Sequence, residues 1–111
     1  TYHSSEEYAR YFCFIPLAEQ RALEAVDYIV HERPAVAAAW LDELLERTAA
    51  LRRFPRRGRE VPEIARPSYR EIQHAPYRVI YRIDETLVVI LTIRHWRRAW
   101  DPSEVPDEQP G

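Results

Sequence analysis

The chain has 111 residues, 46% of them hydrophobic and 31% charged, with a formal net charge of −2 and one cysteine. Those values describe a single folded domain with a modest core and exclude an intrinsically disordered chain or a disulfide-stapled scaffold. No apolar run reaches the roughly 20 residues a spanning helix needs, and the acidic, polar start is unlike a targeting peptide, so no membrane partner and a cytoplasmic location are expected.

The small net charge hides an asymmetry. Residues 1–46 hold three Arg against nine Asp or Glu, residues 47–100 hold thirteen Arg against five, and residues 101–111 hold four acids and no base. All sixteen basic residues are arginine. A basic segment inside an acidic protein suits phosphate or an acidic partner, although acidic helices and basic strands can also neutralise one another.

In chain order, residues 1–7 read as a flexible leader. Residues 8–15, YARYFCFI, are rich in aromatic and β-branched residues and predict a first strand, with Cys13 a buried member of it. Pro16 ends that strand and suits the first turn of a helix. Over residues 17–31, Ala18, Ala22, Ala25, Val26, Ile29 and Val30 recur in steps of three and four, which predicts an amphipathic helix. After Pro34, Ala37, Leu41, Leu44, Thr48 and Leu51 repeat the pattern, with Trp40 and Leu45 widening the stripe. So short a break makes the two helices an antiparallel hairpin. The second helix stops near Arg53, because Phe54 precedes Pro55 and a residue before proline avoids the helical region.

A loop with the only internal glycine, Gly58, leads to a short strand at residues 69–73. Residues 77–83 and 87–93 then form a β-hairpin around Asp84-Glu85-Thr86. Its second strand is hydrophobic enough to require cover on both faces. Strand, helix, helix and three strands make an α+β domain over residues 8–100, with a two-helix hairpin packed on a small, mainly antiparallel sheet. Residues 101–111 are expected to form an acidic, proline-rich, partly disordered tail.

His3, His31, His74 and His95 are scattered and no second cysteine exists, so neither a metal nor another cofactor is expected. The residues that suggest chemistry are arginines. Alternation puts Tyr77, Val79, Tyr81 and Ile83 on one face of their strand, and Arg78 and Arg82 on the other, facing an open groove. Arg94, His95, Trp96, Arg97, Arg98 and Trp100 follow the last strand, and Arg70 joins the set if its strand pairs alongside. Guanidinium groups interleaved with aromatics suit single-stranded RNA. For RNA cleavage, His95, His74 or Glu71 would supply the acid or base, and arginine would stabilise the charged phosphorane. The competing reading pairs Arg78 and Arg82 with Glu71, Asp84 or Glu85 across the sheet. A second cluster, Arg52, Arg53, Arg56, Arg57 and Arg59, is either a solvated helix end or a contact for a macromolecular target.

From about residue 11 to residue 98 the chain resembles the RelE/ParE superfamily of toxins from type II toxin–antitoxin modules, and the ParE-like subgroup in particular. The resemblance rests on IPLAEQRALEAVDYI (15–29), LRRFPRRGREVPE (51–63), YRVIYRI (77–83) and VVILTIRHWRRAW (88–100), in that order. It implies the same fold and a small cognate antitoxin that wraps the toxin and alone carries it to operator DNA. Two activities are implied. RelE-like members cut messenger RNA in the ribosomal A site, with Arg78 and Arg97 at the positions of two family arginines. Here, however, the strand that carries their lysines reads Tyr69-Arg70-Glu71, and their C-terminal tyrosine has no counterpart in Asp101-Pro102-Ser103. ParE-like members inhibit DNA gyrase without hydrolytic chemistry. Catalysis by Arg78, Arg97, His95 and Glu71 is therefore expected only in the RelE-like case. In the ParE-like case Arg70, Arg82, Arg94, Arg98, Trp96, Trp100, Arg52, Arg53, Arg56 and Arg57 would bind target or antitoxin. A third possibility is a non-toxic homologue that acts only as an antitoxin-binding corepressor.

Overall fold

The computed structural model describes residues 11–98. The expected leader, the tail and Trp100 lie outside the described residues. The elements are β1 (Tyr11–Phe14), α1 (Pro16–Glu32), α2 (Pro34–Ala49), β2 (Arg59–Glu60), β3 (Tyr69–His74), β4 (Tyr77–Asp84) and β5 (Leu87–His95). Two single 3-10 turns, Ala50–Arg52 and Pro55–Arg57, join α2 to β2.

Prolines set the helix boundaries. Pro16 and Pro34 each occupy the first turn of their helix, where a missing N–H costs nothing. Arg33, one residue before Pro34, takes φ −148° and ψ 72°, outside the helical region, and this turns the chain from α1 into α2. Phe54, before Pro55, takes a similar non-helical conformation, which stops the helical run.

One sheet runs in the order β1-β5-β4-β3-β2. β1 pairs parallel to β5, and every other pairing is antiparallel. The two-residue β2, which sequence reasoning leaves inside a loop, forms the far edge against β3. Opposite Ile80 and Tyr81 the register slips: Ile80 faces Thr92 and Tyr81 faces Ile90, so Leu91 is the extra residue of a bulge. The slip lets Val88, Ile90 and Ile93 all face the helices despite their uneven spacing.

The helical hairpin covers one sheet face. Ala18, Ala22, Ala25 and Ile29 of α1, with Ala37, Trp40 and Leu44 of α2, meet Tyr77, Val79, Tyr81, Val88, Ile90 and Ile93. The small side chains on α1 allow the helix to approach the sheet closely. On the other face a second cluster joins Val61, Tyr69, Ile80, Val89 and Leu91, with Ile64 packed against it. β5 is therefore covered on both sides, as its composition requires.

Three burial expectations fail. Cys13 is exposed, because only the Phe12 and Phe14 face of the edge strand β1 packs on the core. Val30 and Leu45, counted in the apolar stripes, are 44% and 47% exposed. They lie at the margin of stripes too wide for the sheet to cover.

Candidate functional site

The register of β3, β4 and β5 divides the candidate residues between the two faces of the sheet. Gln73 lies opposite Arg78, Glu71 opposite Ile80, and Arg70 opposite Tyr81. β3 does pair beside β4, but Arg70 shares the helix-side face with Tyr81 and does not join Arg78. Glu71 does.

Arg78 and Glu71 form the centre of an ionic cluster on the face away from the helices. Arg78 donates from Nε to Glu71 Oε1 at 2.8 Å, and from Nη1 and Nη2 to the two oxygens of Glu63 at 3.1 and 2.9 Å. Arg59 Nε donates to the other Glu71 oxygen at 2.5 Å. The Glu71 side chain is fully buried and that of Arg78 is 12% exposed. Hydrogen bonds from Arg78 hold the Glu63 carboxyl below its ordinary pKa, and the same bonds, ahead of those to Glu71, raise that of Arg78. The open groove expected beside Arg78 is thus occupied by the segment carrying Glu63, which crosses behind the sheet after β2. Arg82 and Arg94, on the same face, are 9% and 4% exposed, and Arg82 Nη2 lies 3.8 Å from Asp84. Sequence reasoning anticipates the partners of Arg78 and Arg82 in Glu71 and Asp84, but misses Glu63. Its only signal is a Pro-Glu pair in the loop.

His95 lies on the opposite face. It faces Tyr77 across the strands, with ring centroids 5.2 Å apart, and its Nδ1 accepts the Arg97 backbone N–H at 3.1 Å. The register therefore places His95 and the Arg78–Glu71 pair on different sides of the sheet. The other imidazole, His74, is built into the core. Its Nε2 lies 3.0 Å from the Trp40 carbonyl, its Nδ1 lies 3.2 Å from Arg47, and its ring packs on Trp40. Donation from Nε2 to the Trp40 carbonyl and acceptance at Nδ1 from Arg47 satisfy both contacts.

Beside His95, α1 and the end of β5 enclose a cleft of about 430 Å³. Glu24 and Tyr28 line it from α1, with Tyr77, His95, Arg97 and Arg98 from the sheet side. Burial raises the pKa of Tyr77, and Arg21 donates to Glu24 at 2.9 Å. Trp96 is half exposed, and its backbone N–H donates to the Pro76 carbonyl at 3.0 Å. Among the described residues no group of three His, Cys, Asp or Glu side chains could hold a metal ion.

The second arginine cluster occupies the link between α2 and β2. Leu51, Pro55 and Gly58 are buried there, while Arg52, Arg53, Arg56 and Arg57 are exposed. Tyr81, buried in β4, donates from its hydroxyl to the Pro55 carbonyl at 2.6 Å and accepts the Gly58 N–H at 3.0 Å. Arg70 donates to the Gly58 carbonyl at 3.0 Å and to Pro67, so its guanidinium is spent on holding the backbone. Gly58 is required for space. A Cβ there would lie 2.5 Å from the Glu71 carbonyl oxygen and 2.7 Å from the Tyr81 hydroxyl.

Residues 14–100 match the family model described as the ParE toxin of the type II toxin–antitoxin system, parDE. Among solved structures, the chain is similar to a chain of the chromosomal ParDE toxin–antitoxin system from P. aeruginosa. That match has a TM-score of 0.64 and 18% identity, over 83% of this chain and 98% of the other. It is also similar to a chain of the toxin–antitoxin complex RelBE2 from Mycobacterium tuberculosis, with a TM-score of 0.52 and 28% identity, over 80% and 91% of the two chains. A search of curated proteins gave no match.

Proposed function

The chain belongs to the ParE family of toxins from type II toxin–antitoxin systems, and from that premise we propose that it arrests growth by binding and poisoning DNA gyrase, with a cognate antitoxin as its neutralising partner. The observation that carries the choice of a binding toxin over a ribonuclease is the state of Arg78 and Glu71. To cleave RNA, a general base must reach the 2′-hydroxyl while a cation meets the phosphate. Glu71 has no exposed side-chain surface and shares its oxygens between Arg78 and Arg59, and Arg78 is also bound by both oxygens of Glu63. His95, the imidazole at the end of β5, faces the other side of the sheet. A constellation so neutralised and divided suits a structural tie. The antitoxin reading is supported by the two similar structures, both of which come from toxin–antitoxin systems.

Purified protein added to gyrase with relaxed plasmid should block supercoiling and trap a cleaved gyrase–DNA complex, and the purified antitoxin should reverse both effects. Unchanged supercoiling with no trapped complex would overturn the gyrase reading. Primer extension on translated messenger RNA, made during expression of the toxin, should show no cuts in the ribosomal A site. Cuts that depend on Arg78 would restore the nuclease reading.

A further inference from the structure

The link between α2 and β2 carries more positive charge than its structural role needs. Its two 3-10 turns point Leu51, Pro55 and Gly58 inward and Arg52, Arg53, Arg56 and Arg57 outward. Among the described residues, Arg52, Arg53 and Arg56 have no carboxylate within ion-pairing distance, and Arg57 lies 5.8 Å from the Phe54 ring centre. Phe54 is itself 57% exposed, between two pairs of arginines. The backbone that presents these groups is fixed from below by the Tyr81 hydroxyl and by Arg70.

We infer that this link is a binding surface for the sugar–phosphate backbone of a nucleic acid, with Phe54 available to a base where the strand is single. Four exposed guanidiniums with no carboxylate partner among the described residues, on a fixed backbone, gain their affinity by releasing the counterions condensed on a polyphosphate. An acidic protein partner fits less well. Protein interfaces centre on an apolar, charge-depleted core, and here one exposed ring, with Arg57 over it, shares the link with four exposed arginines. A nucleic-acid chain needs no such core, and one exposed aromatic among arginines is a stacking platform for an unpaired base. The surface is separate from the Arg78 cluster, and it does not require gyrase to be the target.

The test is fluorescence anisotropy with the purified toxin and labelled duplex DNA, single-stranded DNA and RNA of equal length, with polyglutamate as the acidic-protein control and no gyrase present. Four guanidiniums on duplex phosphates give a slope of log K against log salt near −3.6, or about 150-fold weaker binding at roughly 200 mM salt than at roughly 50 mM. Replacing Arg52, Arg53, Arg56 and Arg57 together by Gln should abolish most of that slope, and replacing them by Lys should keep it. Phe54→Ala should weaken single-strand binding about 5-fold or more and leave duplex binding unchanged. Binding of any of the three nucleic acids that depends on these arginines supports the inference, and their order of affinity identifies the backbone recognised. No binding at low salt, binding that the Gln variant retains, or equal binding of polyglutamate would overturn it. Because gyrase is absent, failure here leaves the supercoiling result to stand or fall alone.

Discussion

Replacing Glu71 by Gln tests whether the Arg78 cluster is a structural tie. The substitution keeps the volume and removes the charge, so the change is electrostatic. Two interactions weaken. The bond from Arg59 contributes little, about 1 kcal/mol or less, because the Arg59 side chain is 63% exposed and its charge is well solvated. The bonds from Arg78 matter more, since that side chain is 12% exposed and loses its buried counterion. Removing one member of a buried pair costs about 3–5 kcal/mol when the other is left alone. Arg78 keeps Glu63, whose side chain is 34% exposed, so the loss should fall near the lower end, about 3 kcal/mol. For a domain of this size that lowers the melting temperature by roughly 12–20 °C. Urea unfolding monitored by tryptophan fluorescence should show a lower midpoint with an unchanged slope. A loss below about 1 kcal/mol would mean that the pair is solvated, and would reopen Arg78 and Glu71 as groups free to act on a substrate.

Gly58→Ala should destabilise the fold by about 1–3 kcal/mol, because the new Cβ meets a strand carbonyl oxygen at 2.5 Å and β3 must shift to admit it; equal urea midpoints would refute the contact. The Glu63 carboxyl titrates below its ordinary value of 4.5, so the stability it contributes is present above that pH and is lost as pH falls through the depressed pKa. Acid unfolding of Glu63→Gln should therefore show a shallower dependence on pH below about 4.5 than the parent, and identical acid profiles would argue against the bridge to Arg78. Cys13, exposed on the outer side of β1, should react with one equivalent of a thiol reagent in the folded protein at a rate that denaturant barely changes; protection until unfolding would contradict its placement.

The element boundaries are legible in the sequence because they are local. Pro16, Pro34 and Pro55 act on their own dihedral angles and those of the preceding residue, and the period-two alternation of Tyr77, Val79 and Tyr81 names their shared face. The candidate site is less legible because it depends on pairings between distant segments. Arg70 and Glu71 are sequence neighbours with opposite fates, decided by a β3–β4 register that no local pattern records. Glu63 reaches Arg78 only because the chain crosses behind the sheet after a two-residue strand too short to leave a periodic trace. Cys13 has the composition of a core residue but is exposed on β1, the strand that the sheet order places at the edge among the described residues.

The pairing of β1 with β5 bears on how the protein is made. Tyr11 lies beside Leu87, so among the described residues the first strand pairs with the last. During synthesis the helical hairpin emerges long before β5, with its alanine stripe uncovered, because Val88, Ile90 and Ile93 do not yet exist. Contacts this distant in sequence form late, since the intervening chain must first be ordered. The domain therefore reaches its finished shape only after residue 95 has cleared the ribosome, and the nascent chain exposes a greasy helical face until then.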